Sequence, residues 1–379
     1  MLLTPDLIDE HTRRFIEMLL SEGYSVTCVG KQNPKPEEQT NYSYVKYPDF
    51  RLLQSLKFYR LRQFFTDLIN TLFLRLIWFK IKPDVVHVIF ITKSAYYCAL
   101  AKIHPLVLTA LGSDINKFFY ENMRNSQLCK KISHALVSAD YVTADTNEIL
   151  DECEELAGRS LKKSLFYFGI DLDLFRPRSS EEKQKLRKHL GILETSKIIL
   201  SPRRINPKMR HDQILRAYSI FSRECEFETV LIFRLFGKFD EEYKMKLQEL
   251  AKDLGIATQV IWADEMDYQI LPILYSMADL VINYPNQDGL PVTLFEVSAC
   301  MAPVVTSDLT AYKEFLSQGA YYRVSNESVN GLVDAIRKVF SEREEEFQEK
   351  LVKNFNLIVE NYDQRKCFSV IKNIYNNLS

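Results

Sequence analysis

The sequence predicts an α/β protein built from two doubly wound domains with parallel sheets. Strand and helix patterns alternate along almost the whole chain of 379 residues. Many strand candidates are near-continuous apolar runs, which is typical of strands buried on both faces. The candidates form two series, separated by the polar segment 175–182. We therefore expect domains at 1–177 and 178–360, followed by a helix at 361–379 that crosses back to the first domain.

The predicted elements follow one another in the order that parallel sheets require. Strands are expected at 24–30, 84–90, 106–112, 140–145 and 164–169, and then at 197–204, 229–237, 259–263, 279–285 and 303–307. Helical patterns lie between them, as in 8–23, where an apolar face ends at Gly23. Ligands of such sheets bind beyond the carboxyl ends of the strands, so two facing domains would line a cleft.

The overall composition argues against several classes of protein. The formal net charge is −1, so no basic field favours nucleic acid as a partner. The seven cysteines are scattered and never spaced as C-x-x-C, which disfavours a disulfide framework or a zinc site and favours a reduced cytosolic setting. The early acids Asp6, Asp9 and Glu10 disfavour a signal peptide. The usual dinucleotide and P-loop motifs are absent from the sequence.

The stretch DGLPVTLFEVSACMAPVVTS, residues 288–307, carries the most specific chemical signal. Asp288, Gly289 and Leu290 are expected at the amino end of a helix, where free N–H groups and the helix dipole favour an anionic or hydroxyl-rich ligand. Glu296 lies further along that helix, and its carboxylate can accept two hydrogen bonds from a vicinal diol such as a ribose. Alternatively, Asp288 only caps the helix and Glu296 is exposed. The spacing by itself favours this second interpretation.

This stretch resembles the motif of the retaining glycosyltransferases of family 4, which have the GT-B fold. The likeness extends over most of the chain, with further matching segments in the family's order at 83–90, 106–115, 168–177, 199–218 and 234–285. The resemblance implies two Rossmann-like domains facing across a cleft. It also implies that the second domain holds a nucleotide-diphosphate sugar and that the first domain holds the acceptor.

The resemblance assigns roles to the residues of the motif. Glu296 would bind the ribose of the donor, and Asp288 would orient the sugar that is transferred. The amides around Gly289, Leu290 and Pro291 would approach the sugar and the diphosphate.

The resemblance also implies a basic loop that stabilises the departing diphosphate. Arg204 matches the family's arginine, Lys208 is expected to assist it, and Arg203 and Arg210 are further donor-binding candidates. Such electrostatic catalysis needs no metal and no cofactor, since the nucleotide sugar is itself a substrate. The D-L-D triplet at 171–173 lies in the linker-like segment, which disfavours a metal site there.

The sequence departs from the family's motifs at four places. The first acid of the motif is Asp288 instead of Glu, and Met209 with Arg210 replaces the usual Lys-Gly pair. Leu111 replaces a His that lies near the reacting sugar in the family, and the segment 5–9 replaces a Gly-rich loop. An alternative function therefore stays open, in which a catalytically impaired homologue binds a nucleotide sugar or partners an active glycosyltransferase.

Two residues of the first domain are further candidates for the cleft. His87 keeps one of the two histidines that the family has in this strand, although a lone His at a strand end is more often structural. Asp114 follows a strand, where it would either face the cleft and bind hydroxyl groups or cap a helix at 115–123.

The segment 50–82 is rich in Lys, Arg, Phe and Leu. A basic, aromatic and amphipathic stretch suits an anionic membrane surface, and glycosyltransferases of this kind often act on lipid-linked acceptors. Alternatively, the apolar face of this segment packs on the first sheet while the cations extend outward.

The predicted protein is a metal-independent glycosyltransferase of the hexosyltransferase type, cytoplasmic or peripheral at the inner face of a membrane. It would move a sugar from a nucleotide-diphosphate donor to a glycan or lipid-linked acceptor, with retention, in the synthesis of cell-surface polysaccharide or glycolipid. A nucleotide-sugar epimerase or hydrolase on the same fold is a further alternative, but it would need acid–base residues that are scarce in this sequence.

Overall fold

The computed structural model describes residues 2–3, 10–30, 42–48, 59–116, 118, 123–237, 239–290, 292–324 and 327–378. The chain forms two compact units. One contains Met1–Phe168 together with Cys367–Ser379, and the other contains Gly169–Lys366. The first boundary thus lies after Phe168, whereas the sequence placed it after residue 177.

The first unit contains a parallel sheet of seven strands in the order β3-β2-β1-β4-β5-β6-β7. Its strands are β1 (Leu2–Leu3), β2 (Thr27–Gly30), β3 (Ser43–Lys46), β4 (Val86–Ile89), β5 (Leu106–Ala110), β6 (Tyr141–Ala144) and β7 (Lys163–Leu165). Its helices are α1 (Glu10–Ser21), α2 (Tyr59–Ile81), α3 (Lys93–Leu100), α4 (Gln127–Ser138) and α5 (Asn147–Ala157). Both β4 and β5 are buried along their whole length, as their continuous apolar sequences predict.

The second unit contains a parallel sheet of six strands in the order β10-β9-β8-β11-β12-β13. Its strands are β8 (Lys197–Ser201), β9 (Thr229–Arg234), β10 (Val260–Ala263), β11 (Leu280–Asn283), β12 (Val304–Ser307) and β13 (Tyr322–Val324). Its helices are α6 (Ser180–His189), α7 (His211–Glu224), α8 (Glu241–Asp253), α9 (Leu271–Ser276), α10 (Val292–Ala299), α11 (Lys313–Gln318), α12 (Val329–Ser341) and α13 (Glu344–Asn361). Short 3₁₀ turns at Pro207–Met209, Tyr268–Ile270 and Thr310–Tyr312 position side chains of the site.

A final helix, α14 (Gln364–Leu378), ends the described chain. Its residues Phe368, Ile371 and Tyr375 are buried in one apolar cluster with Phe15 of α1 and Cys28 of β2. The terminal residues therefore belong to the core of the first unit.

The predicted α/β class with parallel sheets is confirmed, and each of the ten strand candidates contains or overlaps a strand. Three short strands of the described chain lie outside these ten candidates, β1, β3 and β13, and of these β3 and β13 lie at the edges of their sheets. An edge strand has one neighbour and is only partly buried, so it lacks the continuous apolar run that marks the central strands.

Candidate functional site

The candidate site lies at the carboxyl ends of neighbouring strands in the second unit. The strands β8, β11 and β12 are adjacent in the sheet. The segment after β8 contains the basic loop, and the segment after β11 leads to α10, which carries Glu296. The backbone N–H of Asn286 donates to the carbonyl oxygen of Lys208 at 2.9 Å, which links the two loops. This is the edge of a parallel sheet at which ligands bind.

Asp288 is held by two donors. Its Oδ2 lies 2.6 Å from Nη2 of Arg203 and accepts a hydrogen bond from the hydroxyl of Tyr312 at 2.8 Å. The Tyr312 hydroxyl also accepts from Nδ2 of Asn283 at 3.2 Å. Burial, and then the charge of Asp288, raises the pKa of Tyr312 well above its ordinary value, so this hydroxyl stays a donor. The carboxylate is therefore fixed in position.

Glu296 is only 5% exposed, so the interpretation of this residue as an exposed helix position is wrong. Its Oε1 accepts from the hydroxyl of Tyr268 at 2.7 Å, and its Oε2 accepts from the hydroxyl of Tyr275 at 3.0 Å. Burial, and then the charge of Glu296, raises the pKa of Tyr275 well above its ordinary value. Sequence reasoning missed both tyrosines, because they precede Glu296 by 28 and 21 positions and no local pattern connects them.

The basic loop divides its cations between two environments. Arg203 is bound to Asp288, and Nη2 of Arg210 lies 2.8 Å from Oε2 of Glu327. Arg204 and Lys208 are exposed. The guanidinium of Arg204 lies 5.6 Å from the centre of the Phe236 ring. Because Arg203 and Arg210 already pair with carboxylates, Arg204 and Lys208 are the better placed of the four candidates to meet a ligand anion.

Arg210 occupies a backbone conformation that usually belongs to glycine. Its φ is +51°, in the left-handed region, and it connects the 3₁₀ turn at Pro207–Met209 to the start of α7. This is the position at which the resembled family has its Gly. The side chain lies over the ring of Tyr284, 5.3 Å from its centre, and pairs with Glu327. These contacts offset part of the cost of this conformation.

His211 follows directly and was not a predicted site residue. Its ring is buried and meets the ring of Phe233 edge-on at 5.2 Å. Burial lowers the pKa of His211 to about 4, so the ring is neutral near pH 7. The ring packs at the base of the loop between the rings of Phe233 and Tyr243.

Gly289 is half-buried and Leu290 is buried, between Asp288 and the start of α10. Pro291 lies outside the described residues. Within the part of the chain that the structure describes, no group of three or more His, Cys, Asp or Glu side chains could hold a metal ion.

His87 of the first unit is a buried structural residue. Its Nδ1 lies 2.6 Å from the hydroxyl of Tyr375, and its Nε2 lies 2.6 Å from Oγ1 of Thr109. Burial lowers the pKa of His87 to about 3. Both ring nitrogens are therefore engaged within the core, and the structural alternative describes this residue better than a role in ligand binding.

Asp114 is also buried, with 0% of its surface exposed. Its Oδ2 accepts from the backbone N–H of Ile91 at 2.7 Å, and its Oδ1 accepts from that of Leu111 at 3.0 Å. The carboxylate thus joins the segments that follow β4 and β5. Most of the helix that it was expected to cap lies outside the described residues.

The helix α2 leaves seven apolar residues exposed to solvent, so the alternative in which its apolar face packs on the first unit holds only for other residues of the helix, such as Leu74. Leu76 is 68% exposed and Phe64 is 61% exposed. The other exposed apolar residues of the helix are Leu61, Phe65, Leu68, Leu72 and Phe79. At 3.6 residues per turn these seven share one face. Among the described residues, no helix has both the length and the hydropathy to cross a membrane.

The inner face of α2 is partly polar, which explains this orientation. Asp67 forms a largely buried ion pair with Lys131 of α4 and accepts from the hydroxyl of Tyr97 of α3 at 3.1 Å. Asn70 and Leu74 are buried on the same side. Phe73, Ile77 and Trp78 also pack against the core cluster, so the inner face is mixed and the seven exposed apolar residues lie on the opposite face. Residues 50–58 of the predicted membrane segment lie outside the described residues.

Comparison with protein families gives two matches. The family described as "Glycosyl transferases group 1" matches residues 182–356, and the family described as "Glycosyl transferase 4-like" matches residues 1–146. Together these matches take in most of both units.

Two curated relatives show the level of similarity. The chain is 22% identical over 248 residues to the N-acetyl-alpha-D-glucosaminyl L-malate synthase of Bacillus anthracis, a match that covers 62% of this chain and 59% of that protein. It is 24% identical over 260 residues to the putative teichuronic acid biosynthesis glycosyltransferase TuaC of Bacillus subtilis, which covers 68% of this chain and 61% of that protein. The matches thus span about three fifths of the length of these two relatives.

Solved structures resemble the whole chain. A glycosyltransferase from Rickettsia africae has a TM-score of 0.78 at 16% identity, with 100% of this chain and 98% of that chain covered. A protein from Anabaena, Alr3699/HepE, solved in complex with UDP and glucose, has a TM-score of 0.78 at 14% identity, with 100% and 99% covered. These likenesses establish the fold.

Proposed function

We propose a function from one premise: the chain belongs to the family 4 group of glycosyltransferases, which both family matches support and which has the GT-B fold of two Rossmann-like domains. It transfers a sugar, with retention, from a nucleotide-diphosphate donor to a glycan or lipid-linked acceptor. The product belongs to cell-surface polysaccharide or glycolipid. The second unit binds the donor and the first unit serves the acceptor.

The observation that carries this proposal is the pair of oriented carboxylates at one sheet edge. Asp288 is fixed by Arg203 and Tyr312, and Glu296 is fixed by Tyr268 and Tyr275. A carboxylate has about four lone-pair sites, so each acid keeps capacity for hydroxyl donors. Glu296 would accept from the ribose and Asp288 from the transferred sugar. A donor with two sugars joined by a diphosphate suits such a pair.

The reaction breaks the bond between the anomeric carbon and the diphosphate oxygen and forms a bond from the same carbon to the acceptor oxygen. The proton of the acceptor hydroxyl passes to the departing diphosphate. Negative charge grows on the diphosphate as it leaves, so cations placed beside it lower the barrier. Arg204 and Lys208 are exposed at this edge of the sheet and would supply the positive charge. Backbone amides near Gly289 and Leu290 would add N–H donors. Asp288 orients the sugar.

Donor binding is tested by thermal unfolding of the full chain with UDP, GDP and ADP and with their sugar conjugates. A ligand present at 100 times its dissociation constant should stabilise the protein by about 2.7 kcal/mol. The Glu296→Ala variant should lose this stabilisation. A well-folded wild type that responds to none of these ligands would contradict the donor site.

The alternative function, a binding homologue without transfer activity, is favoured by Leu111 and Met209, which replace family residues in the acceptor and donor regions. Both functions predict that the donor binds, so an assay of sugar transfer is needed to separate them. Release of free nucleoside diphosphate from the bound donor, dependent on added acceptor lipid extract, supports the transferase. Tight binding of the donor without release of nucleoside diphosphate supports the binding homologue that lacks transfer activity.

Peripheral contact with the inner face of a membrane belongs to the same proposal. The seven exposed apolar residues of α2 form a stripe along one face of the helix, and contiguous exposed apolar patches often mark interaction sites. The cations Arg62, Arg75, Lys80 and Lys82 lie on or beside this helix, and they complement an anionic lipid surface. A lipid-linked acceptor would be met at that surface.

Membrane contact is tested by sedimentation with vesicles of phosphatidylcholine alone or mixed with phosphatidylglycerol. The wild type should bind the anionic vesicles, less so at high salt. The triple variant Leu68→Ser, Leu72→Ser, Leu76→Ser should lose binding. The matched control, Leu193→Ser with Met245→Ser, replaces exposed apolar residues of the second unit and should retain it. Equal binding by the triple variant would contradict the proposal. So would a dimer that the triple variant abolishes, because a second copy would then cover the stripe.

A further inference from the structure

Both oxygens of the Glu296 carboxylate carry a tyrosine hydroxyl, and the two tyrosines differ in exposure. Tyr275 lies on α9 and is buried, whereas Tyr268 lies on the 3₁₀ turn before α9 and is half-buried. We propose that Tyr268 is a positioning residue, which orients Glu296 so that both hydroxyls of a ribose are bound and a 2′-deoxyribose is rejected. This inference rests on the proposed function, in which Glu296 is the ribose ligand.

An aromatic cluster holds the two tyrosines in place. The ring of the fully buried Phe175 meets the ring of Tyr268 edge-on at 5.3 Å and stacks on that of Tyr275 at 6.2 Å. The rings therefore have little freedom to turn, and the hydroxyls point to fixed places. One tyrosine alone would fix one carboxylate oxygen and leave the carboxylate plane free to rotate about it. The second hydroxyl removes that rotation.

The remaining capacity of the carboxylate matches a vicinal diol. Of about four lone-pair sites, two accept from the tyrosines, which leaves one on each oxygen. A ribose presents two O–H donors on adjacent carbons, so each can occupy one remaining site. A 2′-deoxyribose leaves one acceptor of a nearly buried carboxylate without a donor, and an unsatisfied buried polar group is costly.

The experiment compares ribonucleotides and deoxyribonucleotides as probes. Dissociation constants are measured by calorimetry for UDP, GDP and ADP and for dUDP, dGDP and dADP. For the diphosphate that binds, the wild type should prefer the ribose form by roughly tenfold or more. In Tyr268→Phe the ring and its contact with Phe175 are kept. We expect weaker binding of the ribose form, little change for the deoxy form, and therefore a smaller preference.

The control removes a tyrosine–carboxylate hydrogen bond elsewhere in the same unit. The hydroxyl of Tyr322 donates to Glu342, beside the edge strand β13. Tyr322→Phe should leave the preference unchanged, and Glu296→Gln should reduce it as Tyr268→Phe does. Thermal unfolding of each variant verifies that the fold is intact.

Three other results for Tyr268→Phe, and one for the wild type, would overturn the inference. Tighter binding of the ribose form by Tyr268→Phe would mean that Tyr268 blocks the ribose. An equal loss of affinity for both forms would mean that Tyr268 has only a structural role. No change in either affinity would mean that Tyr268 does not influence ribose binding. In these three cases the proposed donor site survives if Glu296→Gln still weakens binding. A folded wild type that binds none of the six diphosphates overturns the proposed function together with this inference.

Discussion

Nη2 of Arg203 lies 2.6 Å from Oδ2 of Asp288, although 85 positions separate the two residues in the sequence. Their side chains are 15% and 18% exposed, so the pair is shielded from solvent. An arginine predicted as a donor-binding candidate therefore holds the acid expected to orient the sugar. We therefore expect the contact with the diphosphate to come from the other cations of the loop.

Arg203→Ala should destabilise the second unit and also impair transfer. Removing one partner of a shielded ion pair leaves an uncompensated charge, and we expect a loss of about 2 kcal/mol in the free energy of unfolding. Urea unfolding measures it. Arg337→Ala breaks an exposed pair with Glu224 in the same unit and should change stability by less than about 1 kcal/mol. Similar losses for both variants would show that the Arg203–Asp288 pair is not specially shielded.

Arg204→Ala should lower kcat/KM by roughly 100-fold with little effect on stability, because its charge acts on the departing diphosphate. The side chain is exposed, and among the described residues it pairs with no carboxylate. Steady-state kinetics with the donor identified by binding measures the effect. Arg216→Ala, which removes an exposed cation from α7, is the control and should be neutral. An Arg204→Ala enzyme of normal activity would leave Lys208 as the remaining cation to test.

Asp114→Ala should destabilise the first unit by about 3 kcal/mol. Its buried carboxylate accepts from the backbone N–H groups of Ile91 and Leu111, and the variant leaves one buried and one partly buried donor unsatisfied. Urea unfolding tests this, with Asp334→Ala, which removes a largely exposed acid of α12, as the control. A stable Asp114→Ala protein that has lost only activity would instead indicate a direct role with the ligands.

Acid should destabilise the protein through its buried histidines. The pKa of His87 is lowered by burial to about 3, and that of His211 to about 4. Both values lie below the unfolded value, about 6.5. Their neutral forms therefore contribute stability that is fully present above about pH 6.5 and is lost as pH falls towards the folded values, by at most about 1.4 kcal/mol per pH unit for each ring.

Urea midpoints at pH 7.5 and 5.0 measure this effect. His87→Asn removes one titrating ring and should reduce the difference between the two midpoints. His104→Asn, which replaces an exposed histidine, should not. An unchanged difference in His87→Asn would show that other groups dominate acid unfolding.

The sequence by itself determined the class of fold and revealed the motif from which the candidate site is built. Alternating periodicities are local properties, so they revealed the central strands and the parallel arrangement. The motif containing Asp288 and Glu296 was visible because its residues are consecutive. The short edge strands β3 and β13 were missed because partial burial gives them no continuous apolar run.

Only the tertiary structure decided which groups meet. The partners of Asp288 and Glu296 come from distant segments, and the sheet order brings those segments together. The same holds for the side of α2 that is buried. Periodicity shows that a helix has faces, but the core contacts of Leu74 and the ion pair of Asp67 with Lys131 decide which face lies inward and leave a second apolar face to solvent. Contacts between residues far apart in sequence depend on topology, and no local pattern records them.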